Sequence, residues 1–244
     1  MAYRFATDSE DYSDFASGQV LYSAPGHPAF PVRLTSEIFQ RAQALLGHAE
    51  PVTLYDPCCG SGYHLAVLGI LHRQSLKSLT ASDIDPNVTE VAMRNLSLLT
   101  TAGLANRRQT IAADWQAFGK PSHQAALGSA DRLMARLAEQ PILPTRIFTA
   151  DATQPEAIAT ALAQPIDLVF SDLPYGQLTA WQGVRGQQNP VWHLLAALRP
   201  VLHGQSVVAL VTNKGETVAH EQFARYGRFR HGKRLITFLK PILN

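Results

Sequence analysis

Val52-Thr53-Leu54-Tyr55-Asp56-Pro57-Cys58-Cys59-Gly60-Ser61-Gly62, followed by an apolar-periodic run from His64 to Leu71, decides the fold of this 244-residue chain. An apolar run, a glycine turn and a helical pattern in that order read as strand, turn and helix, the unit with which doubly wound α/β folds build a cofactor site. Two glycines let the backbone approach a ligand without Cβ interference, and the helix N-terminus beyond them favours an anionic group. The stretch is not the dinucleotide fingerprint. Leu65 stands where that pattern wants its third glycine, and Asp56 at the strand end would repel a pyrophosphate. An acidic strand end beside a glycine turn suits a zwitterion, with ammonium on the carboxylate and carboxylate on the helix amides. The methionine moiety of S-adenosylmethionine has that form, and Asp56, Pro57, Cys58, Gly60, Ser61 and Gly62 are expected to hold it.

Strand and helix patterns alternate outward from this stretch. A helix is predicted over about Tyr63 to Arg73 and a second strand over Ser78 to Asp83. Pro86 suits the first turn of the next helix, which carries Val91, Met93, Leu96 and Leu99. Residues 106–144 show no strand character and read as a helical insertion, in which Ser122 to Glu139 is amphipathic. Strands follow at Arg146 to Ala150, Ile166 to Ser171 and Gln205 to Val211, with helices around Pro155 to Ala163 and over Pro190 to Leu198. The end reads as two strands around a turn at Gly232. Ahead of the alternation, residues 1–32 read as an extended arm, and Thr35-Ser36-Glu37 as the start of a helix that Gly47 ends. The expected architecture is α/β and Rossmann-like: a mostly parallel seven-stranded sheet, helices on both faces, an antiparallel C-terminal hairpin, all in one domain over 1–244.

In such a sheet, ligands bind beyond the carboxyl ends of the strands. Those ends read Asp56, Asp83, Asp151 and Asp172. Asp83 lies about 20 residues past Gly62, the spacing of a ribose-binding acid, and Ile84 beside it can cover an adenine face. Asp85 competes for the ribose, although its place before Pro86 also suits a helix N-cap. Asp151, with Ala152 next to it, is either an acceptor for the adenine amino group or a cap on the loop before Pro155.

Ser171-Asp172-Leu173-Pro174-Tyr175-Gly176 is the expected catalytic turn. An exocyclic amine on an aromatic ring is a poor nucleophile, because its lone pair is delocalised. Two acceptors on its N–H groups, the Asp172 carboxylate and the Leu173 carbonyl, would localise that pair and aim it at a sulfonium methyl. Pro174 stiffens the turn, and Tyr175 can stack on a base. In the following loop, Trp181 and Arg185 are expected to stack on or clamp RNA, a packed Trp181 being the alternative.

Bulk properties exclude several classes. The composition is 46% hydrophobic and 16% charged, as in ordinary globular proteins. No apolar run is long enough to span a bilayer, and the N-terminus lacks the apolar core of a signal peptide, so a cytoplasmic protein is expected. The two cysteines, Cys58 and Cys59, are adjacent and offer neither a disulfide framework nor metal-ligand spacing. No metal is expected, and a nucleophilic role for either thiol is rejected. The net charge of +2 is no nucleic-acid signature in itself. Arg225, Arg228, Arg230, His231, Lys233 and Arg234 nevertheless crowd one segment. The predicted topology puts its exit turn, His231-Gly232-Lys233, on the active face, where basic residues can meet phosphates.

Asp56 to Gly69, with Cys58-Cys59 ahead of Gly60-Ser61-Gly62-Tyr63-His64-Leu65, together with Ser82-Asp83-Ile84-Asp85-Pro86, Ser171 to Gly176 and Ser23 to Arg33, resembles the AviRa-type avilamycin-resistance ribosomal RNA methyltransferases of class I. The generic guanine-N2 group often carries Asp/Asn-Pro-Pro-Tyr where this chain has Leu173, which leaves the carbonyl acceptor in place. The resemblance implies methyl transfer from S-adenosylmethionine, leaving S-adenosylhomocysteine, to the N2 amine of a guanine in 23S ribosomal RNA. It also implies resistance to orthosomycin antibiotics and ribosomal RNA as the partner; a monomer is expected. It places Phe30 and Arg33 beside the cofactor or substrate, with Gly176 in the substrate site. Two rivals stay open: an N-methyltransferase acting on tRNA, DNA adenine or a protein amide, and a non-catalytic RNA-binding protein on the same fold.

Overall fold

The structure, a computed structural model, describes residues 3–8, 10–48, 50–162, 164–174, 181 and 189–242. Its centre is a sheet of seven strands: β1 (Val52–Asp56), β2 (Leu76–Asp83), β3 (Thr145–Thr149), β4 (Ile166–Asp172), β5 (Leu202–Asn213), β6 (Phe223–His231) and β7 (Arg234–Pro241). The spatial order is β3-β2-β1-β4-β5-β7-β6. β1 to β5 pair in parallel, while β7 runs antiparallel between β5 and β6. β6 is therefore parallel to the first five, and its exit turn lies at their carboxyl edge, as expected.

The described residues also form seven α-helices, α1 (Val32–Leu46), α2 (Tyr63–Leu71), α3 (Pro86–Ser97), α4 (Thr101–Phe118), α5 (Pro121–Leu137), α6 (Pro155–Ala161) and α7 (Pro190–Leu198), and three short 3-10 helices. Side chains alternate across a strand, so the central strands feed two cores. Leu54, Leu168, Phe170, Val207 and Ala209 pack with α1 to α5 on one face. Tyr55, Val169, Val208 and Leu210 pack with α6 and α7 on the other. That two-sided burial explains why these strands read as continuous apolar runs.

Helix placement departs from expectation in two places. Residues 101–118 form α4, where the sequence suggested a helical insertion only from about 106 and a defined amphipathic helix only over Ser122 to Glu139. The helix is polar nearly all round and buries only Leu104 and Ile111, so no apolar stripe announces it. Gly103 lies within its first turn, where an added Cβ would sit 1.9 Å from the Ser97 carbonyl oxygen. Packing against α5 supports it, with Arg108 paired to Asp131 at 2.5 Å. At the other end of the chain, α1 begins at Val32 rather than near Thr35. Thr35, Ser36 and Glu37 are buried within it instead of capping it.

The N-terminal arm is not a loose extension. Residues 13–15 form a short 3-10 helix, and Phe15, Val20 and Leu21 are buried. Each stretch of arm backbone is tied to the body by a polar side chain. The Glu37 carboxylate accepts from the amides of Arg4, Phe5 and Ala6 at 2.7–2.8 Å and from Arg41 Nε at 2.6 Å. Asn95 of α3, with no exposed surface, accepts from Tyr22 N and donates to the carbonyls of Tyr22 and Ser61. The arm, α3 and the glycine turn are thus fastened through one amide.

Burial alone would raise the Glu37 pKa, but the three amides and Arg41 outweigh it and hold the carboxyl below its ordinary value. Its contribution to stability is therefore fully present above the unfolded carboxyl pKa of about 4.3 and lost as pH falls through the lower folded value. We expect Glu37→Ala to destabilise the fold by about 3 kcal/mol at pH 7, since Arg41 and three amides lose their partner. The loss should shrink below pH 4 and be accompanied by proteolytic release of residues 3–8. Urea midpoints at pH 7 and pH 3.5, with limited proteolysis, check it.

Candidate active site

A cavity of about 300 Å³ opens at the carboxyl edge of the parallel strands. The first turn contributes Pro57, Cys58, Cys59, Gly60 and Ser61, and the end of β2 contributes Asp83, Ile84 and Asp85. Asp151 and Ala152 follow β3, and Asp172, Leu173 and Pro174 follow β4. Trp181 lines the same space, as do His27, Pro28 and Phe30 of the arm and Arg234 at the start of β7. Tyr175, Gly176 and Arg185 lie outside the described residues.

The glycine turn is built by its backbone. Gly60 and Gly62 adopt φ of 53° and 66°, which side-chain-bearing residues rarely accept. Their uses differ. A Cβ on Gly60 would approach His27 Nδ1 to 2.9 Å at the cavity wall, whereas one on Gly62 would meet Ala92 of α3 at 3.1 Å. Gly62 does not line the cavity; its missing side chain lets α2 and α3 pack.

Asp83 fixes this turn from the next strand. Its Oδ2 accepts from Gly60 N at 2.9 Å and its Oδ1 from Asp85 N at 3.2 Å. Burial nevertheless raises the Asp83 carboxyl above its ordinary value, against the lowering effect of those two amides. Asp85 is the N-cap of α3, accepting from Asn87 N at 2.9 Å. Asp151 holds its own loop by accepting from Thr153 N and Oγ1 at 2.9 and 2.7 Å. Asp83, Asp85 and Asp151 all still line the cavity.

Asp56 departs from expectation. It has no exposed surface and does not face the cavity, so it is not placed to meet a ligand's ammonium. Its Oδ1 accepts from Ser171 Oγ at 2.6 Å and Cys58 N at 3.0 Å. Its Oδ2 lies 2.9 Å from His64 Nε2, an ion-pair contact without hydrogen-bond alignment. Burial alone would push the His64 pKa down. Asp56, the charge of Asp172 and a hydrogen bond to the Phe170 carbonyl overcome that, and the imidazole is held above its ordinary 6.5. His64 thereby joins the turn, the end of β4 and Asp172 electrostatically.

Asp172 is half-buried where β4 leaves the sheet, and Leu173 beyond it is anchored by donation from its N–H to the Val211 carbonyl at 3.0 Å. Phe30 is buried against Phe170 and His64. Arg33 departs from expectation, because its guanidinium turns away to hold the arm, donating to the carbonyls of Ala6 and Thr7 at 2.9 and 2.7 Å. Trp181 lines the cavity and packs on the second core at once. Burial and the neighbouring Asp56 and Asp83 push both thiols well above the ordinary cysteine range, which suits neither a nucleophile nor a metal ligand. Among the described residues no cluster of three or more His, Cys, Asp or Glu side chains could hold a metal ion. No described helix is long and apolar enough to cross a membrane.

His64 stands where its position after the glycines suggested, at the helix start and on the wall, whereas His27, Tyr63 and Arg234 were not expected there. His27 and Arg234 come from the two ends of the chain, and only the arm's tethers and the placement of β7 bring them here. A hint existed for Arg234 in the basic C-terminal segment.

Comparisons with known proteins place the chain in a family and a fold. The family model described as rRNA methyltransferase AviRa matches residues 1–234. The chain is 48% identical over 235 residues, 96% of its length and 93% of the relative's, to a 23S rRNA (guanine(2535)-N(1))-methyltransferase of Streptomyces viridochromogenes. A solved structure of rRNA methyltransferase aviRa from the same organism superimposes with a TM-score of 0.89 at 46% identity, covering 98% of this chain and 96% of that one. A putative methylase of Haemophilus influenzae shares the fold alone, with a TM-score of 0.50 at 14% identity over 88% of this chain and 92% of that one.

The Asp56 contact yields a measurable consequence. We expect the His64 ring to titrate above 6.5 in the native protein and to fall in Asp56→Asn, which removes the nearest charge. Because the folded value is raised, the pair's stabilisation is complete below the unfolded pKa of about 6.5 and fades as pH rises through the folded value. NMR titration of the imidazole carbon-bound protons checks both; an unchanged midpoint in the variant would refute the pairing.

Proposed function

Because the chain belongs to the rRNA methyltransferase AviRa family, we propose that it transfers a methyl group from S-adenosylmethionine to a guanine of 23S ribosomal RNA, at N1. The observation that carries this reading is the Asp172 carboxylate on the wall of a cavity whose other side is the glycine turn and Asp83.

The cavity residues fit S-adenosylmethionine. Pro57, Cys58, Gly60 and Ser61 would hold its methionine end, in a turn where Gly60 leaves room that a side chain would fill. Asp83 would take the ribose hydroxyls, with Ile84, Asp85, Asp151 and Ala152 around the base. Asp56 acts one layer behind, by fixing the turn through Cys58 N. The bound cofactor supplies an electrophilic methyl on a sulfonium.

The protein's own residues prepare the acceptor. Guanine N1 carries a proton, and its lone pair becomes available only as that proton leaves. Asp172 on the cavity wall would accept it, and the adjacent N2–H can share the same carboxylate. The charge of Asp172 and that of Asp56 both raise the His64 pKa, so an imidazolium there would in turn favour a negative charge on the turn. Leu173 and Pro174 fix the turn, so acceleration comes from positioning and from charge placed in advance. No covalent intermediate is needed. The base must leave its stack to reach this depth.

Sequence reasoning alone favoured the exocyclic N2, because two acceptors in the Asp172–Leu173 turn suit an amine. The relative's named position is N1, one atom along the same edge, and Asp172 can serve it equally. The exposed edge strand β6 presents Arg225, Tyr226, Arg228 and Arg230, a basic and aromatic surface suited to RNA backbone and bases. We further propose that 1–244 forms one catalytic domain, that it acts as a monomer in the cytoplasm, and that it confers orthosomycin resistance.

Nucleoside analysis of 23S rRNA treated with the protein should yield 1-methylguanosine, with a strong reverse-transcription stop at one guanine. N2-methylguanosine without a stop would move the reaction to the amine. Label from the cofactor appearing only in tRNA, DNA or protein would overturn the substrate. Asp172→Ala should lower the single-turnover rate at least about 100-fold, the scale of losing a positioned proton acceptor. Its affinity for S-adenosylmethionine, read by calorimetry, should change less than about threefold, since that variant touches no cofactor-holding residue.

A further inference from the structure

Arg234 has no role in the scheme above, yet it is placed to have one. It opens β7 and pairs in register with Asn213 of β5 and His231 of β6. Two residues back along β5, Val211 pairs with Asp172. Arg234 and Asp172 thus stand on the two strands that flank β5, at the carboxyl edge of the sheet, and both line the same cavity.

Its guanidinium carbon lies 5.1 Å over the Phe30 ring, and that ring is itself fixed edge-on by Phe170. Aromatic backing of this kind holds the planar fork in one orientation. The Arg234 Nε atom is buried and has no hydrogen-bond partner among the described residues, and no carboxylate among them pairs with the side chain. A desolvated cationic donor without an acceptor is costly. That atom is closed off from solvent, but the side chain as a whole lines the cavity, where an acceptor on a ligand can meet the outer N–H groups of the guanidinium.

The proposed substrate carries one. Guanine places its N1–H and N2–H donors beside the O6 acceptor on a single edge, with N7 next to O6. A carboxylate and a guanidinium in one cavity complement that edge. Adenine reverses both groups, presenting an amine to the guanidinium and a bare ring nitrogen to the carboxylate. We propose that Arg234 is the specificity-determining residue of the site, donating to O6 of the flipped guanine while Asp172 engages N1–H. This rests on the methyl-transfer reading above.

The test compares an RNA fragment bearing guanine at the methylated position with one bearing 6-thioguanine, which keeps N1–H and N2–H but offers a poor acceptor. The unaltered protein should prefer guanine by about 10- to 100-fold in single-turnover rate, the scale of one good base contact. Arg234→Gln should lose about that factor on guanine and little on 6-thioguanine, so discrimination collapses, while S-adenosylmethionine affinity stays unchanged. Arg234→Lys keeps a cation on an aliphatic stem but lacks the planar fork that Phe30 orients, and should lose the same discrimination, which guards against a folding defect in the first variant. Retained discrimination in a folded Arg234 variant would overturn the proposal. Weakened cofactor binding would also overturn it, by assigning the guanidinium to the cofactor carboxylate. Absence of transfer from the unaltered protein to any rRNA would instead overturn the methyl-transfer reading itself.

Discussion

A carboxylate with no exposed surface must be satisfied from within, and Asp56 meets that demand at the end of the central strand. Its partners come from three elements: Cys58 N in the glycine turn, Ser171 Oγ at the end of β4, and His64 in the first turn of α2. The position of the turn, the spacing of β1 from β4 and the entry of α2 are therefore set together. Removing any one partner would leave a buried charge under-satisfied, at a cost larger than a surface contact can return. The cavity's shape depends on this internal tie more than on any group that faces the cavity.

The second constraint is the capture of the N-terminal arm. Glu37, Asn95 and Arg33 each use a polar head to bind arm backbone, so buried chain without regular structure still has its amides and carbonyls paired. The result shapes the cavity. His27, Pro28 and Phe30 close one side of the cavity, and Phe30 carries Arg234 on its face. A shorter chain beginning at β1 would keep the strands and lose that wall.

Charges around the cavity fall into two sets. Asp56, Asp83 and Asp151 each spend oxygens on backbone amides and so stiffen the loops that carry them. Asp172 and Arg234 line the cavity on the β4 and β7 side, and His64 links the two sets through its contact with Asp56 and the charge of Asp172. Preorganised charge in a partly desolvated space needs little rearrangement when a substrate arrives. Basic residues on β6 lie outside it, where water and salt screen them.

The sequence by itself determined the strand–turn–helix unit, the alternation of elements and the acids at four strand ends, because apolar periodicity and glycine placement are local properties of the chain. It also determined kinship, through the cysteine pair and the turns around it. It did not show α4, whose polar surface carries no periodic signal, nor the true start of α1. Only the tertiary structure decided which strand-end acid faces the cavity, since the partners of Asp56 come from residues 58, 64 and 171. It alone turned Arg33 toward the arm and Arg234 toward the cavity. A residue type and its spacing say what chemistry is available; the direction of a buried charge is settled by partners distant in sequence, which pairing and packing bring to it.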